Sequence, residues 1–299
     1  MFYSKILLFG EYTLMFGSKA LSIPFHDFYG RFSRSIDNKT KKGFNPEKHL
    51  RKFLEYLKNL DEEKRRLIKI DIERFESDLD GGMSVESNIP AGYGLGSSGA
   101  LVAAVFEKYG GSVCGLAELK SVFSVMESFF HGKSSGFDPL VCYLDSPVLM
   151  DKNGVLKQIT LPVKKKGEKG TLFLLDSKVT GETRPLVKWF IESYNGDDIF
   201  GKKIQHQLIP LNEHAIDAFV SGAFGKLSEL FRDISVFTYD ELTPMIPESL
   251  KDVWKNGLDT GCYQLKLCGS GGGGMMLGFT TDFDKTQSLL NAYTLRKVF

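Results

Sequence analysis

The sequence predicts two domains of the α+β class. Three observations carry that expectation. The chain has 299 residues, enough for two cores. Strand-like and helix-like segments alternate in both halves. A lysine-rich stretch, Lys164-Lys165-Lys166-Gly167-Glu168-Lys169, interrupts two apolar segments near the middle. No aromatic residues are interleaved with those lysines, so the stretch reads as a solvated hairpin or interdomain turn rather than a nucleic-acid patch. A boundary there gives an N-terminal domain over 1–163 and a C-terminal domain over 170–299.

In the first half, Lys5 to Phe9 reads as a strand. Leu67 to Phe75 reads as another, because Ile68, Ile70 and Ile72 recur with period 2. Met83 to Asn88 is a third. Helices are expected at Pro46 to Leu60, at Ser98 to Tyr109 and at Gly115 to Phe130, where Leu116, Leu119, Val122, Phe123 and Met126 share one face. Val155 to Val163 and Thr171 to Asp176 read as strands flanking the lysine turn. Strands near Tyr263 to Cys268 and Met275 to Phe279 follow. The helical stretches between them are Pro185 to Tyr194, Asn212 to Phe231 and Pro247 to Leu258.

Composition narrows the function. Lys+Arg 38 against Asp+Glu 37 gives a net charge of +1, so an anionic ligand must be held locally rather than by a whole-molecule field. Cys114, Cys142, Cys262 and Cys268 form no C-x-x-C pair, which argues against a disulfide framework or a zinc site and fits a reducing cytosol. The apolar opening Ile6-Leu7-Leu8-Phe9 is cut short by Glu11, and no run reaches the roughly 18 apolar residues of a membrane span. The expectation is a soluble, cytoplasmic protein whose partner is a small-molecule substrate, with neither nucleic acid nor membrane. A second copy of the chain is a candidate partner.

The most informative segment is Pro90-Ala91-Gly92-Tyr93-Gly94-Leu95-Gly96-Ser97-Ser98-Gly99-Ala100, which runs into an apolar helix. Glycines let the backbone approach a ligand, and a helix start presents N–H groups and a positive dipole end to an anion. That is a phosphate cradle. The serine hydroxyls at its exit can join a metal's coordination or cap the helix. Gly94 to Gly99 also spells G-x-G-x-x-G, but Pro90 separates it from its strand, and the acid about 20 residues on, Glu118, falls inside a helix. No lysine stands where a P-loop needs one. A plain glycine turn capping a helix remains open.

Pro90 to Ala100 resembles the central phosphate motif of the GHMP kinases, the superfamily of galactokinase, homoserine kinase, mevalonate kinase and phosphomevalonate kinase. Two further segments match in order. One is Lys5-Ile6-Leu7-Leu8-Phe9-Gly10-Glu11-Tyr12, the other Lys266-Leu267-Cys268-Gly269-Ser270-Gly271-Gly272-Gly273-Gly274. The resemblance implies a two-domain fold, with an N-terminal domain like ribosomal protein S5 domain 2 and a C-terminal ferredoxin-like α/β sandwich. It implies ATP and Mg²⁺ as cofactors, with Pro90, Gly92, Gly94, Leu95, Gly96, Ser97, Ser98 and Gly99 at the nucleotide and Gly271 and Gly272 beside its phosphates. The four glycines also read as a flexible hairpin, costly in entropy to order.

Phosphoryl transfer to an alcohol asks the protein for a carboxylate to receive the proton, a cation for the alkoxide and a site for magnesium. Glu127 and Asp138, eleven residues apart, end a helix and enter the loop His131-Gly132-Lys133-Ser134-Ser135-Gly136-Phe137. That stretch resembles the H-G-x-x-S-G-x-D of mevalonate kinases. The resemblance implies Asp138 as catalytic base, Glu127 and Ser98 as magnesium ligands, and Lys5 at the reacting hydroxyl. It also implies Glu11, Tyr12, His131 and Thr183 near the substrate, the last from Asp176-Ser177-Lys178-Val179-Thr180-Gly181-Glu182-Thr183-Arg184-Pro185. Taken alone, Glu127 reads as a solvated helix face, Asp138 before Pro139 as a turn start, Lys5 as surface, His131 as a helix-end hydrogen bonder and Thr183 as an N-cap.

Several positions depart from the family pattern. Tyr3-Ser4 replaces Pro-Gly, Gly99 an alanine, Lys133-Ser134 an Asn-Pro and Ser270 an alanine. Tyr12 stands where mevalonate kinases and galactokinases carry histidine and phosphomevalonate kinases often carry tyrosine. The activity implied is ATP-dependent phosphorylation of the primary hydroxyl of mevalonate to 5-phosphomevalonate. Phosphomevalonate kinase is the alternative enzyme, and a catalytically dead ligand sensor the alternative from another class, against which intact Lys5, Ser98, Glu127 and Asp138 argue.

Overall fold

The computed structural model describes residues 1–34, 46–113, 115–181 and 183–299. Cys114, Glu182 and the side chains of His131 and Thr183 lie outside them. In chain order the elements are β1 (Phe2–Phe9), β2 (Ala20–Arg34), α1 (Pro46–Lys58), α2 (Glu62–Ile68), α3 (Ile72–Asp80), β3 (Met83–Ser87), α4 (Ser97–Tyr109), α5 (Leu116–His131), α6 (Phe137–Leu144), β4 (Val148–Met150), β5 (Leu156–Gln158), β6 (Thr171–Asp176), α7 (Thr183–Gly196), α8 (Asp198–Lys203), α9 (Ile209–Val220), α10 (Phe224–Glu241), α11 (Glu248–Thr260), β7 (Gln264–Leu267), β8 (Met275–Thr280), α12 (Phe283–Leu289) and β9 (Leu295–Lys297). Among the described residues no helix is long and apolar enough to cross a membrane.

The chain forms two compact units, each discontinuous in sequence. The first holds Met1–Lys5, Pro24–Pro90 and Gly96–Ser146; the second holds Ile6–Ile23, Ala91–Leu95 and Pro147–Phe299. In the first unit, Gly30 to Arg34 of β2 pair antiparallel with β3, and α1 to α6 supply the core through side chains such as Phe53, Phe75, Phe106, Phe123 and Leu140. α4 is lined by Ala100, Val102, Ala103, Ala104 and Val105, all buried; small side chains let neighbouring helices α5 and α6 approach it closely. In the second unit β7, β8, β6 and β9 form an antiparallel sheet in that order. Phe173, Leu175, Phe190, Trp254, Tyr263 and Leu265 form one apolar cluster there. Ala20 to Ser22 of β2 pair with β4, which pairs with β5.

Three expectations need correction, and one strand was not expected. Leu67 to Phe75 is not a strand: α2 ends at Ile68 and α3 starts at Ile72. The Asp71 side chain accepts from the Arg74 amide and Asp61 caps α2 in the same way, so capping overrides the chance alternation of isoleucines. Phe75 and Leu79, four apart, bury the helical face instead. Only Leu156 to Gln158 of the 155–163 segment is extended pairing, with Val155 and Val163 exposed. Asn212 to Phe231 is two helices, α9 and α10, parted at Gly222, whose φ is +73°. The 15-residue β2 had no counterpart among the expected strands.

Candidate active site

The first unit gathers a cluster of acids, hydroxyls and one lysine around the start of α4. That helix opens at Gly96, with φ +72° and no side-chain cap, so its first amides are available to an anion. A Cβ on Gly96 would stand 2.9 Å from the stem of Lys5, so the left-handed turn and the lysine can share that space only if residue 96 is glycine. Lys5 itself is buried, and its Nζ lies 2.8 Å from Asp138 Oδ2. Asp138 sits in the first turn of α6 and keeps a side-chain exposure of 34%. A reactant can therefore reach the carboxylate but not the lysine stem.

Glu127 projects from the end of α5 and is buried. Ser98 Oγ donates to its Oε1 at 3.1 Å, and Ser134 Oγ donates to its Oε2. Burial pushes this carboxyl up to about 7, with the nearby Asp138 charge adding to the effect; the two serine hydrogen bonds and Lys5 oppose it. The loop that brings Ser134 there is tied at both ends: Ser124 Oγ donates to the Ser134 carbonyl at 2.6 Å, and the Gly136 amide donates to Ser134 Oγ at 3.0 Å. The departure to glycine at 99 also has a steric reason. A Cβ there would meet Pro139 N at 2.9 Å and the Asp138 carbonyl carbon at 3.0 Å, so α4 and the backbone of the first turn of α6 approach too closely for alanine.

The second unit holds the other sequence-predicted residues, Glu11, Tyr12, Gly92, Gly94, Leu95, Gly271 and Gly272. Gly94 has φ +74°, and a Cβ on it would lie 2.2 Å from the Cys268 carbonyl oxygen. Glu11 Oε2 lies 2.7 Å from Lys266 Nζ, both side chains being nearly excluded from solvent, at 7% and 4% exposure. Tyr12 has φ +62° and ψ −43°, a conformation costing a non-glycine residue on the order of 1–3 kcal/mol. Its hydroxyl donates to the Ser270 carbonyl at 2.6 Å. Burial, then the Glu11 charge, raises the phenol above its ordinary value. An open cleft of about 570 Å³ borders the glycine run at Gly272, walled by Thr180, Pro185, Leu186, Ile246 and Lys251.

Two family models match this chain: that of the GHMP kinases N terminal domain over residues 52–146, and that of the GHMP kinases C terminal over residues 215–296. The chain belongs to the GHMP kinases. Solved structures of this fold cover nearly all of it. Streptococcus pneumoniae phosphomevalonate kinase in complex with phosphomevalonate and AMPPNP is 16% identical with a TM-score of 0.66, covering 99% of this chain and 98% of that one. L. major mevalonate kinase in complex with R-mevalonate is 17% identical with a TM-score of 0.61, over 97% and 89%. Lactococcus lactis galactokinase complexed with galactose is 13% identical with a TM-score of 0.65, over 99% and 92%. No curated protein sequence matches the chain.

As a GHMP kinase the chain is a small-molecule kinase of the two-domain GHMP fold. Lys5, Gly96, Ser98, Gly99, Glu127 and Asp138 converge in the first unit, where Pro90 and Ser97 also lie. Glu127 and Lys5 are buried rather than solvated or surface residues. Two participants were quoted in the motifs without a role. Ser134 is a partner of Glu127, and Lys266 is the partner of Glu11. A lysine inside the apolar strand β7 was itself a signal, because a buried ammonium demands a counter-charge.

Proposed function

We propose that this GHMP kinase transfers the γ-phosphoryl group of ATP to the primary hydroxyl of mevalonate, giving ADP and 5-phosphomevalonate. The observation that carries the chemistry is the Lys5–Asp138 pair at 2.8 Å beside the uncapped start of α4. Asp138 accepts the proton of the acceptor hydroxyl. The Lys5 ammonium stabilises that oxygen as it becomes an alkoxide and forms its bond to phosphorus, while the bond to the ADP oxygen breaks. Amides at the start of α4 bind the phosphates; the family motifs assign Gly92, Gly94, Leu95, Gly271 and Gly272 to the nucleotide as well.

Magnesium is the metal this reading calls for, and the residues fit it. Ser98 and Glu127 already share a hydrogen bond, and the Glu127 carboxyl, driven up to about 7 by burial and by Asp138, has a strong electrostatic demand for a cation. Magnesium is ordinarily held by one or two carboxylates with substrate phosphates completing its shell, so a cluster of three or more acidic or histidine ligands, which is absent among the described residues, is not required. Bound there, the ion would neutralise phosphate charge during transfer. His131 and Thr183 are proposed on the acceptor side by resemblance to the family motifs; Glu11, which the same resemblance puts there, is closed against Lys266 instead.

Mevalonate as acceptor rests on the His131 to Asp138 stretch. Phosphomevalonate is the second reading, favoured by Tyr12 and by the likeness to Streptococcus pneumoniae phosphomevalonate kinase. A phosphorylated acceptor brings roughly two more negative charges, which a site ordinarily meets with clustered arginine or lysine. Lys133, Lys178 and Arg184 near the substrate segments form no tight arginine cluster in sequence. A coupled ADP-release assay over mevalonate, phosphomevalonate, homoserine and galactose decides. The expected outcome is a kcat/KM for mevalonate at least about 100-fold above that for phosphomevalonate, some 2.7 kcal/mol at 1.36 kcal/mol per decade. Comparable values, or the reverse order, would make phosphomevalonate the acceptor.

A further inference from the structure

Tyr12 is the one residue of the first motif whose backbone is strained and whose side chain is already committed. Its φ of +62° with ψ −43° is a conformation that a bulky residue keeps only where its surroundings enforce it. The enforcement is visible. The ring lies 4.4 Å from that of Phe190, and the hydroxyl donates to the Ser270 carbonyl at 2.6 Å. One residue earlier, Glu11 meets Lys266, whose Nζ also donates to the Leu267 carbonyl at 2.8 Å. Residues 11 and 12 thus grip both ends of the segment 266–270.

What that segment carries is the glycine run. Gly271 to Gly274 have no side chains with which to fix themselves, and ordering four glycines is costly in chain entropy. Their geometry is held instead from outside: the Gly272 amide donates to the Met245 carbonyl and the Gly274 amide to the Val179 carbonyl, each at 2.6 Å. The Met275 amide donates to the Tyr93 carbonyl at 3.2 Å, and the Cys268 carbonyl occupies the space a side chain at 94 would need. Tyr12 grips the residue immediately before the run, so its hydroxyl anchors the segment directly at the edge of the glycines.

We propose that Tyr12 is a positioning residue that clamps the glycine run, and with it Tyr93 and Gly94, in the conformation that receives the nucleotide phosphates, and that its hydroxyl does not touch the phosphoryl acceptor. This inference rests on the nucleotide-binding reading above. It also removes Tyr12 as a guide to the acceptor, because a phenol that is 8% exposed and already donating has no hydrogen left for a substrate oxygen.

The test is Tyr12→Phe in the full chain, which keeps the ring on Phe190 and deletes only the hydroxyl. Hydrogen exchange of the ligand-free protein is expected to quicken about 3–10-fold in peptides covering 268–275, the range one neutral hydrogen bond supports, with peptides of the first unit unchanged. The dissociation constant of a non-hydrolysable ATP analogue is expected to rise several-fold while the KM of the acceptor stays within about twofold. Unchanged exchange at 268–275 would overturn the clamp. So would a raised acceptor KM with unchanged nucleotide affinity, which would return Tyr12 to the substrate. If the wild-type protein bound no ATP analogue, the nucleotide reading would fall, and the exchange measurement alone would still decide whether Tyr12 holds the run.

Discussion

Two lysine–carboxylate pairs, begun by residues only six apart in the chain, stand in opposite surroundings. Lys5–Asp138 and Glu11–Lys266 have nearly the same separation, 2.8 and 2.7 Å. The first leaves Asp138 a third exposed, in the first turn of α6, close to a second carboxyl that burial has raised to about 7. The second is shut away from solvent on both sides and next to a tyrosine whose hydroxyl is already bonded. The proposed reaction needs a pair with one partner open to a reactant, which is what Asp138 offers. A pair that must hold a turn is closed. Proximity of opposite charges therefore says little about role until exposure and neighbouring groups are added.

The sharpest way to break this contrast is to remove one charged partner from each pair. Asp138→Asn keeps the shape of the side chain but cannot accept a proton. Turnover is expected to fall about 10²–10⁴-fold, the usual worth of a positioned general base, with the affinity for ATP nearly retained. Steady-state kinetics with a titration of a non-hydrolysable analogue would measure both. Activity within threefold of wild type would take Asp138 out of the chemistry and leave the open pair a structural one.

For the closed pair the expected loss is in stability. Lys266→Met deprives the buried Glu11 carboxylate of its ammonium and should cost about 3–5 kcal/mol, read from denaturant midpoints at constant m-value. Adding Glu11→Gln should recover much of that loss, since a neutral pair carries a smaller desolvation cost than a stranded charge. A double variant as unstable as the single one would mean that the pair's worth lies in packing rather than charge.

The contrast also explains which parts of the molecule were legible in the sequence. α1, α4, α5, β6 and β8 were, because each buries one face or a continuous run bounded by glycine, proline or charge. β2 was not. Its first residues, Ala20 to Ile23, are buried on both faces and show no alternation, and Pro24 and Gly30 interrupt the rest. At the site, motif spacing indicated Lys5, Ser98, Glu127 and Asp138, and it is these that the first unit draws together. The role of Ser134 at Glu127 was not legible, because it depends on a loop folded back by Ser124 and Gly136. The commitment of the Tyr12 hydroxyl to Ser270, 258 residues away, is tertiary information that no local pattern contains.

The smallest effect concerns Glu127, and it tests whether the open cluster is electrostatically poised as the contrast requires. An ordinary glutamate has a pKa near 4.5, and here burial raises it to about 7. Between those values the folded protein holds a proton that the unfolded chain has released, so stability must fall as pH rises through that window and then level off above it. The whole swing is on the order of 3 kcal/mol, since one pKa unit corresponds to 1.36 kcal/mol. Glu127→Gln has no proton to lose. In chelator-containing buffer without nucleotide, its denaturant midpoints should match wild type near pH 4.5 and exceed it above pH 7, because the variant never buries a charge. Magnesium with ATP should reverse the order, favouring the wild-type carboxylate and raising the magnesium needed for half-activity of the variant. Parallel pH profiles for the two proteins would show that Glu127 titrates as an ordinary surface carboxylate, and the difference drawn between the open and the closed pair would then rest on exposure alone.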